Sequence, residues 1–277
     1  MDRPLIWCQG RLMAADELRI SSLDRAFEHG LGLFESLRTW NGRPLLLERH
    51  RARMRASAQA LGLEFDDTQW PDLQAVSALI AGSHDLRLRI TLSGGLSNAS
   101  GRGATLWMTA SPLPPPLKGP GAIAASTLEV VASDLLARHK TLNYWRMRLA
   151  QERALDQGAD EVLCVTPDGL VHQGTRTNIV YVESGSLITP ADDGPVLPGI
   201  MREVVLEHAS RLGLATRREP TPLERLQDAD EAFLTNSVRG IVPLIRVIDR
   251  RWPGPGEMTG LLWNTILPWL ESERDKP

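Results

Sequence analysis

Three lysines, Lys118, Lys140 and Lys276, stand among 31 basic residues. Arginine carries the positive charge almost everywhere else. A guanidinium stays protonated, so only a lysine amine can be shifted to a form that attacks a carbonyl and bonds to it covalently. Lys118 stands in the Pro/Gly-rich run SPLPPPLKGPG and Lys276 in the terminal ESERDKP, both settings for a solvated charge. Lys140 stands in HKTLNYWRMRLA, inside a structured stretch, and is the candidate nucleophile. Three further runs suit a phosphate: Gly-Thr-Arg-Thr-Asn at 174–178, Pro-Gly-Ile at 198–200 opening a helix, and Thr-Asn-Ser at 235–237 ending a strand. A helix N-terminus offers unpaired N–H groups and the positive end of its dipole, and short hydroxyl or amide side chains add donors without bulk. Each run alone is ordinary turn or capping chemistry. Together with the lone structured lysine they make an anion site the expectation.

The elements that must position these residues follow from periodicity. Residues 5–7 and 11–13 read as a hairpin around Gln9-Gly10, and 46–61 as a helix with Leu47, His50, Met54, Ala58 and Leu61 on one face. In 87–93, Leu88, Ile90 and Leu92 alternate with Arg87, Arg89, Thr91 and Ser93, the pattern of a half-buried strand, with 105–110 as its neighbour. Residues 111–121 cannot extend a helix or an interior strand and read as a linker. The expected organisation is an N-terminal α+β domain over 1–112 with an antiparallel sheet, a linker over 113–121 and a second domain over 122–277. In the latter, helices are expected over 142–157 and 200–212, each stopped by a glycine, and strands over 161–166, 178–182, 187–189, 231–235 and 244–248.

Composition bounds the function. The chain has 277 residues, 42% hydrophobic and 23% charged, enough for two modest domains with apolar cores. A net charge of -3 gives no basic excess for nucleic acid or an anionic membrane, which leaves a small molecule as the expected partner. Cys8 and Cys164 lack metal-ligand spacing, so neither a disulfide framework nor a metal site is expected, and a reducing cytoplasm fits. The start MDRPLIWCQGRL does not read as a secretion signal, and no apolar run reaches roughly 18 residues, so neither secretion nor a membrane span is expected.

Six blocks carry a resemblance. DRAFEHGLGLFESLR (24–38), ERHRARM (48–54), HKTLNYWRMRLA (139–150), GADEVLCVTPDGLVHQGTRTNIV (158–180), LPGIMRE (197–203) and FLTNSVRGIVPL (233–244) follow in order and spacing those of the class IV pyridoxal-phosphate enzymes. That family comprises the branched-chain and D-amino-acid aminotransferases and 4-amino-4-deoxychorismate lyase. The resemblance implies the two-domain α+β architecture of fold type IV, with a small N-terminal and a larger C-terminal domain. It also implies pyridoxal 5'-phosphate as cofactor and a homodimer in which one subunit's N-terminal domain completes the other's site. It makes Lys140 the residue that holds the cofactor as a Schiff base and moves the substrate proton. Arg53 would pair with the cofactor phosphate, with Ile200, Met201, Asn236 and Ser237 forming the rest of its cup. Tyr144 would hydrogen-bond the pyridine hydroxyl oxygen. Many relatives have threonine where Met201 stands, so there only the backbone N–H can serve.

Gln173 departs from the pattern. The family has a glutamate here, whose carboxylate keeps the pyridine nitrogen protonated so that the ring accepts electrons. A glutamine amide can hydrogen-bond that nitrogen but supplies no negative charge to raise its pKa. FLTNSVRGIVPL looks most like the lyase, and the strand ending at Ser93 lacks the arginine that D-amino-acid aminotransferases use for a substrate carboxylate. Aminodeoxychorismate carries two carboxylates, for which Arg38, Arg102, Arg176 and Arg239 are the candidate partners. The lyase of folate biosynthesis is therefore the leading expectation. A class IV aminotransferase acting on branched-chain or related amino acids comes second, and a cofactor-binding homologue impaired at Gln173 third.

Overall fold

The computed structural model describes residues 4–82, 85–96 and 103–273. The chain forms two compact units. The first holds the described residues up to Pro114, the segment His139–Asn143 and the chain end from Glu271; the second holds Pro115–Arg138 and Tyr144–Leu270. A single linear boundary does not describe this division, because the lysine segment returns to the first unit.

The first unit is built from β1 (Leu5–Cys8), β2 (Arg11–Ala14), α1 (Arg25–His29), β3 (Gly32–Trp40), β4 (Arg43–Pro44), α2 (Leu47–Ala60), α3 (Leu73–Ile80), β5 (Leu86–Ser93) and β6 (Leu106–Pro112). Six strands pair in the order β2-β1-β6-β5-β3-β4, with antiparallel ladders throughout. Alternation in β5 sends Leu88, Ile90 and Leu92 into a core with Leu33 and Leu37 of β3, Met54 and Ala58 of α2, and Met108 of β6. The expected hairpin, the helix at 47–60 and the paired strands β5 and β6 are all present. The nine-residue β3, at the heart of the lysine site, was not assigned from periodicity.

The second unit contains β7 (Ala122–Glu129), α4 (Trp145–Asp156), β8 (Glu161–Val165), β9 (Val171–Gly174), β10 (Asn178–Glu183), β11 (Ser186–Thr189), α5 (Ile200–Arg211), β12 (Thr216–Arg218), α6 (Leu223–Gln227), β13 (Glu231–Asn236), β14 (Gly240–Val247) and β15 (Arg250–Arg251). The last helix is α7 (Glu257–Glu273). Nine strands form one mixed sheet, β12-β11-β10-β13-β14-β7-β8-β9 with β15 on β14. Its core is apolar, with Leu163, Val171, Ile179, Leu234 and Val242 together. The helix expected from residue 142 starts at Trp145. Residues 140–142 are instead drawn into extended pairing with β3, where Phe34 N–H donates to Lys140 O and Leu142 N–H to Gly32 O. Among the described residues no helix is long and apolar enough to cross a membrane, and no group of three or more His, Cys, Asp or Glu could hold a metal.

Candidate active site

Lys140 is placed by backbone pairing. Phe34 N–H meets its carbonyl at 2.9 Å, and Thr141 bridges to Leu33. The approach needs Gly32, because a Cβ there would lie 2.6 Å from Leu92 O and 2.7 Å from Leu142 Cδ1. The Lys140 Nζ sits 4.4 Å from the centroid of the Phe34 ring, which also receives the Arg89 guanidinium at 3.7 Å. Burial, then the positive charges of Arg53 and Arg89 against the opposing pull of Glu35, lower the amine from its usual 10.5 to about 8. The lysine is thereby brought close to its neutral, nucleophilic form at physiological pH.

Beside it lies a buried carboxylate. Glu35, 1% exposed, accepts from Arg53 Nε at 2.8 Å and Nη2 at 2.6 Å, and its Oε2 lies 2.6 Å from His50 Nδ1. Burial works to raise the Glu35 carboxyl, but Arg53 and His50 outweigh it and hold it at about 2. A carboxylate only accepts, so Nδ1 is the protonated nitrogen of His50. Burial keeps the imidazole pKa below its usual value and the ring neutral. Arg53 is thus fixed by a bidentate fork rather than left to sample solvent.

In the second unit another buried carboxylate shapes the 174–177 loop. Glu161 accepts from Val162 N–H and Thr175 N–H, both at 3.0 Å, and from the Thr177 hydroxyl at 2.9 Å. Tyr144, at the start of α4, donates its O–H to the Thr175 carbonyl. Gln173 on β9 is 8% exposed, and its Oε1 accepts from Leu197 N–H at 2.9 Å. The Leu197 carbonyl in turn accepts from Asn178 Nδ2 at 2.9 Å. The chain then enters α5 through Gly199, where a Cβ would lie 1.7 Å from Asn178 Oδ1. No side chain caps this helix, which leaves the N–H groups of its first turn, Ile200 and Met201 among them, for an anion. Both of those side chains are buried, so their backbones do the work.

The remaining candidates divide. Asn236 spends its Oδ1 on the N–H groups of Val238 and Arg239, closing the turn that contains Ser237. Arg38 pairs with Asp85 at 3.1 Å and lies over the Trp40 ring, a structural role. Arg102 lies outside the described residues. Arg176 reaches the Asp160 carbonyl and Arg239 the Pro115 carbonyl, and neither is ion-paired among the described residues. Burial and then the charge of Arg176 lower the Arg239 pKa, so these two guanidinium groups feel one another. Sequence reasoning gave no role to Glu35, His50, Arg89 and Glu161, and it placed Asn178 in a phosphate-suited run without its bond to Leu197. The signal for Glu35 was present: a carboxylate amid the apolar run LFESL requires a buried partner, and His50 and Arg53 share a helix face at the i,i+3 spacing.

A family model described as "Amino-transferase class IV" matches residues 32–247. The chain belongs to the class IV aminotransferase family. This class IV protein is 29% identical over 255 residues, 88% of each chain, to a putative branched-chain-amino-acid aminotransferase of Methanocaldococcus jannaschii. It is 26% identical to the aminodeoxychorismate lyase of Bacillus subtilis, over 93% of this chain and 92% of the relative. Among solved structures, the branched-chain aminotransferase of Thermoproteus uzoniensis with norvaline superposes with a TM-score of 0.86 at 27% identity, covering 97% of this chain and 95% of that one. A hypothetical aminotransferase from Mycobacterium tuberculosis in its pyridoxal-phosphate-bound form gives 0.88 at 24% identity over 97% and 99%, a likeness of fold. The architecture is fold type IV, and the protein is a pyridoxal-phosphate-dependent enzyme. Its residues fit that cofactor. An amine lowered to about 8 suits a covalent bond to an aldehyde, and the uncapped start of α5 suits a phosphate. Next to Asn236, Thr235 is 1% exposed, and its buried hydroxyl has no hydrogen-bond partner among the described residues.

Proposed function

We propose that the protein is a 4-amino-4-deoxychorismate lyase, releasing pyruvate to leave 4-aminobenzoate for folate biosynthesis. The carrying observation is Gln173, an uncharged amide where the family resemblance places a carboxylate against the cofactor ring nitrogen. Bound pyridoxal phosphate supplies an electron sink to the amine-bearing carbon of the substrate. Without a carboxylate that sink is weaker, and a reaction that makes an aromatic product depends on it least. Arg176 and Arg239 support the same reading, since guanidinium groups that meet backbone carbonyls and, among the described residues, no carboxylate suit a substrate with two carboxylates.

In this reading Lys140 would hold the cofactor through its Nζ, which binding of the substrate amine would free to act as a base. The freed Nζ then takes the proton from the amine-bearing carbon, for which an amine near 8 is well matched. The enol-ether side chain would depart as the enolate of pyruvate, which takes up the proton that Nζ removed. The resemblance would assign the phosphate to Arg53, which Glu35 holds, and to the N–H groups of Ile200 and Met201 and the turn of Asn236 and Ser237. The resemblance would set Tyr144 at the hydroxyl oxygen and Gln173 at the ring nitrogen. The protein works as a cytoplasmic homodimer.

A second reading, transamination of branched-chain or related amino acids, is favoured by the naming of several relatives, among them one at 29% identity. One assay separates the two. Purified protein is given aminodeoxychorismate and followed for 4-aminobenzoate, beside a panel of amino acids with 2-oxoglutarate. Turnover of the panel without 4-aminobenzoate would replace the lyase by the aminotransferase.

A further inference from the structure

The Gln173 side chain has a fixed direction, set by the peptide of Leu197. A backbone N–H can only donate, so the amide atom 2.9 Å from Leu197 N is the carbonyl Oε1. The Leu197 backbone is held on its other side too, because the carbonyl of the following peptide accepts from Asn178 Nδ2 at 2.9 Å and α5 begins three residues later at Ile200. Reversing the amide would set Nε2 against Leu197 N–H, donor facing donor, in a side chain only 8% exposed. Nε2 is therefore the outward end, and among the described residues no hydrogen bond takes it up. A glutamate at this position could give one oxygen to Leu197 and the other to a ligand; the glutamine gives Leu197 its only acceptor.

We infer that Gln173 is a locked hydrogen-bond donor that makes the protein hold its cofactor with the ring nitrogen unprotonated, the nitrogen lone pair accepting from Nε2. This rests on the proposed contact of Gln173 with that nitrogen. A pyridine nitrogen accepts through its lone pair or, once protonated, donates; a group that only donates selects the first form. The neighbouring titratable groups do not reverse the choice. Glu161, the carboxylate bordering Gly174, is taken up by Val162, Thr175 and Thr177. His172 precedes Gln173 on the same strand, so it faces the opposite side of the sheet, where its Nε2 lies 3.1 Å from the Thr166 hydroxyl.

The test uses holoenzyme loaded with pyridoxal phosphate carrying 15N in the ring, its nitrogen resonance read by NMR. Wild-type protein should show the shift of an unprotonated, hydrogen-bonded pyridine, and Gln173→Glu should move it to the protonated position while Leu197 keeps its acceptor. A protonated resonance in wild-type protein, or one that Gln173→Glu leaves in place, would overturn the inference. The wild-type spectrum decides even if the variant does not fold. Borohydride reduction and peptide mapping of the same sample separate this from the underlying reading. Pyridoxyl on Lys140 with a protonated ring nitrogen defeats the inference alone, whereas no pyridoxyl on Lys140 defeats both.

Discussion

At Lys140 the decisive quantity is one proton. Burial and two arginines lower its amine to about 8, so in cofactor-free protein the rate of condensation with pyridoxal should rise with pH and level off above about 8. A rate still climbing toward 10.5 would show an ordinary solvated lysine. Lys140→Ala should retain no reducible covalent cofactor, checked by borohydride and mass mapping. Glu35 offers the complementary case, with its sign reversed. Its carboxyl is lower in the folded chain than its ordinary 4.5, so the folded state gains from it above 4.5 and loses that gain as pH falls toward about 2. Removing the charge while leaving Arg53 buried should cost about 3 to 5 kcal/mol at neutral pH, the scale for breaking a buried pair from one side. Urea unfolding of Glu35→Gln should therefore fall well below wild type at pH 7 and approach it at low pH. Equal stability at pH 7 would mean that Arg53 finds another partner.

At the scale of elements, the turn that feeds α5 joins sequence to site. Asn178 on β10 reaches across to Leu197, and Gly199 leaves it room. Gly199→Ala would push Asn178 off Leu197 and disturb the first turn of the helix, which should weaken cofactor binding by about 1 to 3 kcal/mol, a common scale for disrupting a buried contact. Titration of the variant with pyridoxal phosphate measures this, and an unchanged dissociation constant would remove α5 from the phosphate site. Much of this element was legible in advance, because Pro198-Gly199 announces the start and Gly213 the stop. The strands β5, β8 and β10 were legible from apolar alternation or runs between turn residues. What stayed hidden depends on pairing across long sequence distances. The helix expected from residue 142 begins later because β3 offers residues 140–142 an N–H and a carbonyl from more than a hundred positions away, and the tertiary pairing wins. The residues quoted for the resemblance included Glu35 and Glu161, but local periodicity gives no sign that one would fork an arginine and the other gather a loop.

For the whole molecule, large apolar side chains of both units stand in water. In the first, Leu23 is 58% and Phe27 79% exposed; in the second, Leu135 is 82% and Trp145 71% exposed. Isolated exposed leucines are normal, but a phenylalanine and a tryptophan this bare carry a large hydrophobic cost unless something covers them. A second copy of the chain is the occupant that the family resemblance proposes, with part of one subunit completing the site of the other. Wild-type protein should then sediment as a dimer. Phe27→Asp places a charge in the contact and should shift it to monomer, because burying an unpaired carboxylate opposes association. Phe27 lies on α1, outside the Lys140 cluster, so the monomer should still fold and still form a borohydride-reducible bond at Lys140, while turnover falls with the dimer fraction. Activity plotted against protein concentration should follow the association curve measured by sedimentation. A Phe27→Asp monomer with full turnover would show that one chain carries a complete site, and the partner's contribution would have to be withdrawn.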